Sequence, residues 1–221
     1  MRPLIIIGDG YHAKVLIELA DQIQIPVLGV TSSNPEKATL TINNTSREIK
    51  ILGNDDVILD YNPDQVDLAI GLAGITTMKL RQKIYNRFKA HDLHFKTLIH
   101  PSAIISPSAK IGEGSQILAN SVIGTESTLG KICIVNTRSA IDHGCNINHF
   151  VNVACGVTIS GNVSVGTNSY IGAGSIVVNN LEIGQNNLVA AGSTVIKSSE
   201  NNISLKGSPA RNFKSQYSLS Q

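Results

Sequence analysis

His143 stands two residues past the aliphatic Ile141, where a side chain points off a corner of the chain. A neutral imidazole is basic near pH 7. In that position it can take a proton from an amine or hydroxyl as that atom attacks a carbonyl carbon. Gly161 follows His143 by 18 residues. A glycine stacked over the imidazole would leave open space beside the base. A second stretch with chemistry is Gly8-Asp9-Gly10-Tyr11-His12-Ala13-Lys14. Its Gly8, Gly10 and Ala13 fit G-x-G-x-x-A directly after an apolar run, a context in which backbone N–H groups at a helix N-terminus hold a phosphate. The acidic residue of a dinucleotide site is missing, because Thr31-Ser32-Ser33 follows Val30, and this disfavours NAD. His149, His100 and His94 have no comparable context and read as structural or surface groups.

These residues need elements to position them, and the chain has two grammars. The first half alternates strands and helices, which argues for an α/β domain with a parallel sheet. Leu4–Ile7, Val27–Val30, Ile49–Leu52 and Val66–Ile70 read as strands. Tyr11–Ile23 reads as a helix burying Val15, Leu16, Leu19 and Ala20, and Asp55–Leu59 as a short one. Ile75–Ala90 is a helix with Leu80, Ile84 and Phe88 on one face and Thr76 or Thr77 as its cap. Leu93–Leu98 leads to His100-Pro101, where the second half begins.

In that half an aliphatic residue recurs every six positions from Ile105 to Val195. A hexapeptide period marks a parallel β-helix, three hexads making one triangular coil. Gly112, Gly124, Gly130, Asn136, Asn148, Gly166, Gly172 and Gly184 follow the guide aliphatics and are read as residues tolerating positive φ at tight corners. Two positions before the guides stand small residues such as Ser115, Ser121, Cys133, Ser139 and Cys145. The pattern ends at Ser198 and a polar tail follows. The expected domains are 1–99 and 100–221.

Composition excludes several classes. Of the 221 residues 42% are hydrophobic and 15% charged, enough for a core and too little charge for disorder. A net charge of +2 with 4% aromatics and no Trp gives no case for nucleic acid. Pro3–Ile7 is too short for a signal or membrane span, so no membrane insertion and a cytoplasmic location are expected. Cys133, Cys145 and Cys155 read as small buried packing residues, with neither disulfides nor a metal site.

The hexad run together with Lys206-Gly207-Ser208-Pro209-Ala210-Arg211 resembles the hexapeptide-repeat acyltransferases. The Gly8–Lys14 stretch and Asn136-Thr137-Arg138-Ser139-Ala140-Ile141-Asp142-His143 narrow the resemblance to sugar acetyltransferases of the PglD/NeuD type. It implies a Rossmann-like α/β domain binding a nucleotide sugar, followed by a left-handed β-helix; general crossover rules would give the opposite hand. It also implies acetyl-CoA as co-substrate, a nucleotide-linked, UDP-type amino sugar as acceptor, a role in bacterial surface glycan synthesis, and a homotrimer with the cofactor between two β-helices. In that light His143 is the general base acting directly on the thioester, with Asp142 and Asn136 orienting the ring or holding the acceptor. Asn152, Gly161, Ala173 and Ala191 are cofactor positions, with Gly161 leaving room for the pantetheine arm. Gly8, Gly10, Tyr11, His12 and Lys14 hold the acceptor. The chain departs from the family pattern at four places: Asn152 replaces a second His, Gly144 an acidic residue, Tyr11 a Gly, and Thr31-Ser32-Ser33 an Asp pair. O-acetylation of a sialic-acid-like sugar is the alternative, and a non-catalytic trimeric sugar-binding scaffold is a third reading.

Overall fold

A computed structural model describes residues 2–34, 36–43, 45 and 47–214. The chain divides into two compact units, Met1–Ala73 with Leu80–Leu98, and Gly74–Lys79 with Ile99–Gln221.

The first unit contains β1 (Leu4–Ile7), α1 (Tyr11–Gln22), β2 (Val27–Thr31), β3 (Thr39–Thr41), β4 (Glu48–Gly53) and β5 (Asp67–Ile70); α2 (Met78–Lys89) and β6 (His94–Phe95) follow. The sheet order is β3-β4-β2-β1-β5-β6. All its pairings are parallel except β3 with β4. The four aliphatics of β1 are buried on both faces, as a central parallel strand requires. From β1 the chain moves outward through β2 and then crosses back to β5. The end of β1 is therefore a switch point, where α/β sheets place their ligands.

Several details differ from the sequence reading. The antiparallel β3 has only three residues and no sequence signal. Val15 and Leu80 are exposed at 43% and 47%, while Ala13 and Ile17 join the buried face of α1. A tract from Ile75 to Thr77 is a 3-10 turn preceding α2, and the Thr77 hydroxyl donates to the Gly74 carbonyl rather than capping the helix.

The second unit is a parallel β-helix of two-residue strands. They form three sheets, of eight, six and five strands, visited in turn by the chain. Residues 18 apart pair in register, as in Ile123 with Ile141 and Ile141 with Ile159. The guide aliphatics stack into one buried column through the prism. That column extends one hexad earlier than expected, because Leu98–Ile99 is already a strand of the eight-stranded sheet. Nor does the order stop at Ser198: Ser204–Gly207 continues the same sheet and turns back as an antiparallel hairpin with Ala210–Asn212. Residues 215–221 of the expected tail lie outside the described residues.

The corners correct the reading of glycine. Positive φ occurs three residues past each guide from Ile111 to Val189, at Gly114, Asn120, Arg138, Gly144, Gly156 and their equivalents. Gly112, Gly124 and Gly172 serve a different purpose. A Cβ on Gly112 would lie 2.5 Å from the carbonyl carbon of Gly130, and on Gly172 2.5 Å from the backbone nitrogen of Ala191, each in the next coil. Closeness of successive coils, not handedness of the corner, selects glycine there. The small residues before the guides tie coils together. The Ser139 hydroxyl donates to the Ala154 carbonyl (2.7 Å), and Ser115 donates to Gly130 (2.9 Å) while accepting from the Cys133 N–H (3.0 Å). Cys133 and Cys145 are buried in this series; Cys155, one residue past the strand-end corner, is exposed, contrary to the expectation.

Candidate active site

Two places carry the chemistry, one in each unit. In the β-helix, His143 follows the strand Ala140–Ile141 and projects from the corner between the six- and five-stranded sheets. Its ring Nδ1 lies 3.0 Å from Asp142 Oδ1, which also accepts the His143 backbone N–H at 2.7 Å. The backbone bond first, and the ring second, hold the Asp142 carboxyl below its ordinary value. A carboxylate only accepts, so in a neutral imidazole so placed Nδ1 is the donor and Nε2 the acceptor. Gly161 stacks over this ring: a Cβ there would stand 2.5 Å from Nε2 and still closer to Cε1. The imidazole thus lies against the Gly161 backbone, with Nε2 next to a surface without a side chain.

The other sequence-expected residues of the β-helix lie elsewhere. Asn136, Ala173 and Ala191 belong to the corner between the eight- and six-stranded sheets, at the opposite edge of the face that begins at Ala140. The Asn136 side-chain oxygen accepts the Thr137 N–H at 2.8 Å, closing its own turn. Asn152 lies on a strand of the eight-stranded sheet, 2% exposed, with Oδ1 lacking a hydrogen-bond partner among the described residues. Between the two edges the six-stranded face exposes Ile104 (66%), Val122 (36%) and Ile176 (44%). A cavity of about 560 Å³ opens beside Ala173 and Ala191.

In the first unit a cavity of about 490 Å³ lies at the switch point, lined by Gly8 and Gly10 after β1, Thr31–Ser33 after β2, Asn54–Asp56 after β4 and Leu72 after β5. All are at carboxyl ends of strands, where a ligand is expected. Thr31 links the loops: its hydroxyl accepts the Gly8 N–H (3.1 Å) and donates to Asp55 Oδ1 (2.5 Å). Gly8 keeps φ +101, and a Cβ on it would meet Leu72 at 3.0 Å. Asp9 is bridged by Lys37 (2.7 Å) and Ser32 (3.0 Å). Burial pushes its carboxyl up, but the bonds from Lys37 and Ser32, the Lys37 charge and a backbone bond together hold it below the usual range. Arg87 from α2 is paired with Asp56.

Of the expected acceptor residues, Gly8 and Gly10 line this cavity. Tyr11 is 83% exposed with Lys14 Nζ 5.5 Å from its ring centroid, and neither they nor His12 line it. Asp55, Asp56 and Arg87 were missed. The signal available was the Asn54-Asp55-Asp56 turn following a strand, in which the Asn54 side chain accepts the Asp56 N–H.

The PglD N-terminal domain family matches residues 3–88. No curated protein sequence matches the chain. Among solved structures, a perosamine N-acetyltransferase from Caulobacter crescentus, in complex with CoA and GDP-perosamine, is similar over 97% of this chain and 98% of its own, with 27% identity and a TM-score of 0.88. The acetyltransferase domain of PglB from Neisseria gonorrhoeae, in complex with acetyl coenzyme A, is 28% identical over 96% of this chain and 99% of its own, with a TM-score of 0.86. WeeI from Acinetobacter baumannii, at 20% identity and a TM-score of 0.83 over 96% of this chain and all of its own, shares the fold. Residues 3–88 are a PglD N-terminal domain by family, and the whole chain, with its Rossmann-like domain and left-handed β-helix, is similar to sugar acetyltransferases of the PglD type and is an acyltransferase.

Proposed function

We propose that the protein transfers the acetyl group of acetyl-CoA to the amine of a nucleoside-diphosphate-linked amino sugar, with His143 as general base. The observation that carries this reading is the His143 ring itself, with Nδ1 donating to Asp142 and Nε2 open beside Gly161. Nε2 takes the proton as the neutral amine attacks the thioester carbonyl. The C–N bond forms, the C–S bond breaks, and the proton passes to the departing sulfur. Asp142 holds the ring in the tautomer that keeps Nε2 unprotonated. The acceptor is seated by the cavity at Gly8, Gly10, Thr31 and Asp55, in the domain of residues 1–99; Tyr11, His12 and Lys14 follow Gly10 in the chain and lie outside its lining. Acetyl-CoA is taken by the domain of residues 100–221.

The site is completed between copies of a homotrimer. His143 and Gly161 occupy one edge of the six-stranded face, and Asn136, Ala173 and Ala191 the other. A threefold arrangement about the exposed Ile104–Val122–Ile176 face brings one edge against the opposite edge of a neighbour. Asn136 of one copy and His143 of the next then share a site.

UDP-linked amino sugars are the expected acceptors. GDP-perosamine in the Caulobacter protein makes a GDP-linked amino sugar the second candidate. The test is acetyl transfer from acetyl-CoA to a panel of UDP- and GDP-linked amino sugars, run with wild type and His143→Ala. Turnover of an amino sugar should fall by about 10²–10⁴-fold in the variant; turnover that survives in the variant sinks the role of His143. Transfer to hydroxyls but not amines sinks the acceptor class.

A further inference from the structure

Nucleotide-binding α/β domains carry a carboxylate after their second strand, where it takes the ribose hydroxyls. Here Thr31, Ser32 and Ser33 stand at that place. The first two of these hydroxyls have already given their single proton within the protein. Thr31 accepts the Gly8 N–H and donates to Asp55 Oδ1. Ser32 accepts the Asn34 N–H and donates to Asp9. Three carboxylates line the cavity, Asp9, Asp55 and Asp56. Lys37 neutralises Asp9 and Arg87 neutralises Asp56. Among the described residues no cation pairs with Asp55, and its side chain holds only the Thr31 hydroxyl, on Oδ1. A carboxylate with one oxygen open to a cavity calls for hydroxyl or N–H donors and repels phosphate.

The place of Asp55 decides between the donors a nucleotide offers. Gly10, the N-cap of α1, makes no side-chain capping bond, and no acidic residue stands in the first turn. That helix end suits a diphosphate. A single hydroxyl, that of Thr31, separates Asp55 Oδ1 from the Gly8 N–H of the same loop. The group beside a 5′-diphosphate is the ribose, and the base lies one ring further out. Asp55 is therefore at the level of the ribose, whose vicinal hydroxyls are two donors side by side. Resting on the acceptor reading above, we infer that Asp55, from the loop after β4, binds the 2′- and 3′-hydroxyls of the nucleotide in place of the carboxylate missing after β2. Thr31 is its positioning residue. The consequence is a substrate class. Sugars linked to a ribonucleoside diphosphate are selected, whichever of uracil and guanine they carry. Those linked to a 2′-deoxynucleotide, such as thymidine diphosphate, are disfavoured because they leave the carboxylate underpaired.

The experiment uses the full chain and four probes, UDP, GDP and their 2′-deoxy forms, with binding measured by calorimetry. For the base that the protein accepts, wild type should bind the ribo form about tenfold tighter than the deoxy form. In Asp55→Ala that preference should vanish, the two forms binding alike. Asp55→Asn keeps the shape and an acceptor for the Thr31 hydroxyl; it should melt like wild type and lose most of the preference. The preference is a ratio within one protein, so a loosened loop that weakens both forms does not imitate the result. Equal binding of the two forms by wild type overturns the assignment and leaves the acceptor reading intact. So does a ribo preference that survives in both variants, including the case in which they cease to distinguish UDP from GDP and the carboxylate reads the base. Loss of both forms together in Asp55→Asn marks Asp55 as structural and overturns the assignment as well. Failure of all four probes to bind wild type overturns the acceptor reading with it.

Discussion

At the residue scale the informative contact is between His143 and Gly161. Gly161 has no left-handed backbone angle, so Ala fits its conformation, and the atoms its Cβ meets belong to an exposed side chain that can swing away. Gly161→Ala should therefore leave the melting temperature nearly unchanged while cutting turnover by about 10²-fold, since displacing a base costs most of its contribution. A large loss of stability in a thermal melt would instead mark Gly161 as structural. Asp142 is a weaker contributor. Both side chains of the Asp142–His143 pair are more than half exposed, and solvent screens such pairs strongly, so Asp142→Ala should lower kcat only about fivefold. The sign of its pH effect follows from its depressed carboxyl. The contact is fully present above the ordinary value of 3.8 and is lost as pH falls through the lower folded value. The Asp142 carboxylate accordingly stays ionised through neutral pH, and the contact is lost only in acid.

At the scale of elements, the β-helix is held by coil-to-coil closeness. Gly124 lies under the coil that carries the base, and a Cβ on it would stand 2.7 Å from the Asp142 carbonyl carbon and 2.7 Å from the His143 nitrogen. Backbone cannot swing aside as a side chain can. Gly124→Ala should cost about 1–3 kcal/mol of stability by overpacking and reduce activity with it, measured by denaturant melts and turnover. Gly156 makes a contrast. It has φ +66 with open space around it, so Gly156→Ala should cost about 1 kcal/mol through backbone strain alone and leave turnover unchanged. In the α/β unit, Thr31 ties the glycine loop to Asp55. Thr31→Val removes the acceptor of the Gly8 N–H and the donor to Asp55. It should raise the KM for the nucleotide sugar about tenfold with little change in the Kd for CoA.

On the scale of the molecule, the exposed aliphatics of the six-stranded face lie between the two edges that carry site residues. Ile176→Asp places a charge on that face without touching the buried column, whose member in that strand is Val177. Light scattering after size exclusion should show the variant as a monomer with an intact melting profile, and turnover should fall in proportion to the lost assembly. A fully active monomer would mean that one copy suffices.

Much of this was legible in the order of residues. A period of six dictates a prism because each buried guide must stack on the one 18 residues away, so the column and the stacking of Gly161 on His143 followed from counting. The glycine loop after β1 was legible because backbone N–H groups need no side chain to act. Counting did not reveal why Gly112 and Gly172 are glycines, since contact with a neighbouring coil and a left-handed turn demand the same residue type. Nor did it identify Asp55, Asp56 and Arg87, or the cavity under Lys206 and Phe213. Those groups are distant in the chain and adjacent only because parallel strands bring their carboxyl ends together, or because a hairpin folds back over the last coils. A local period fixes the register of a repeat; which surfaces and charges then face one another depends on the path of the whole chain through space.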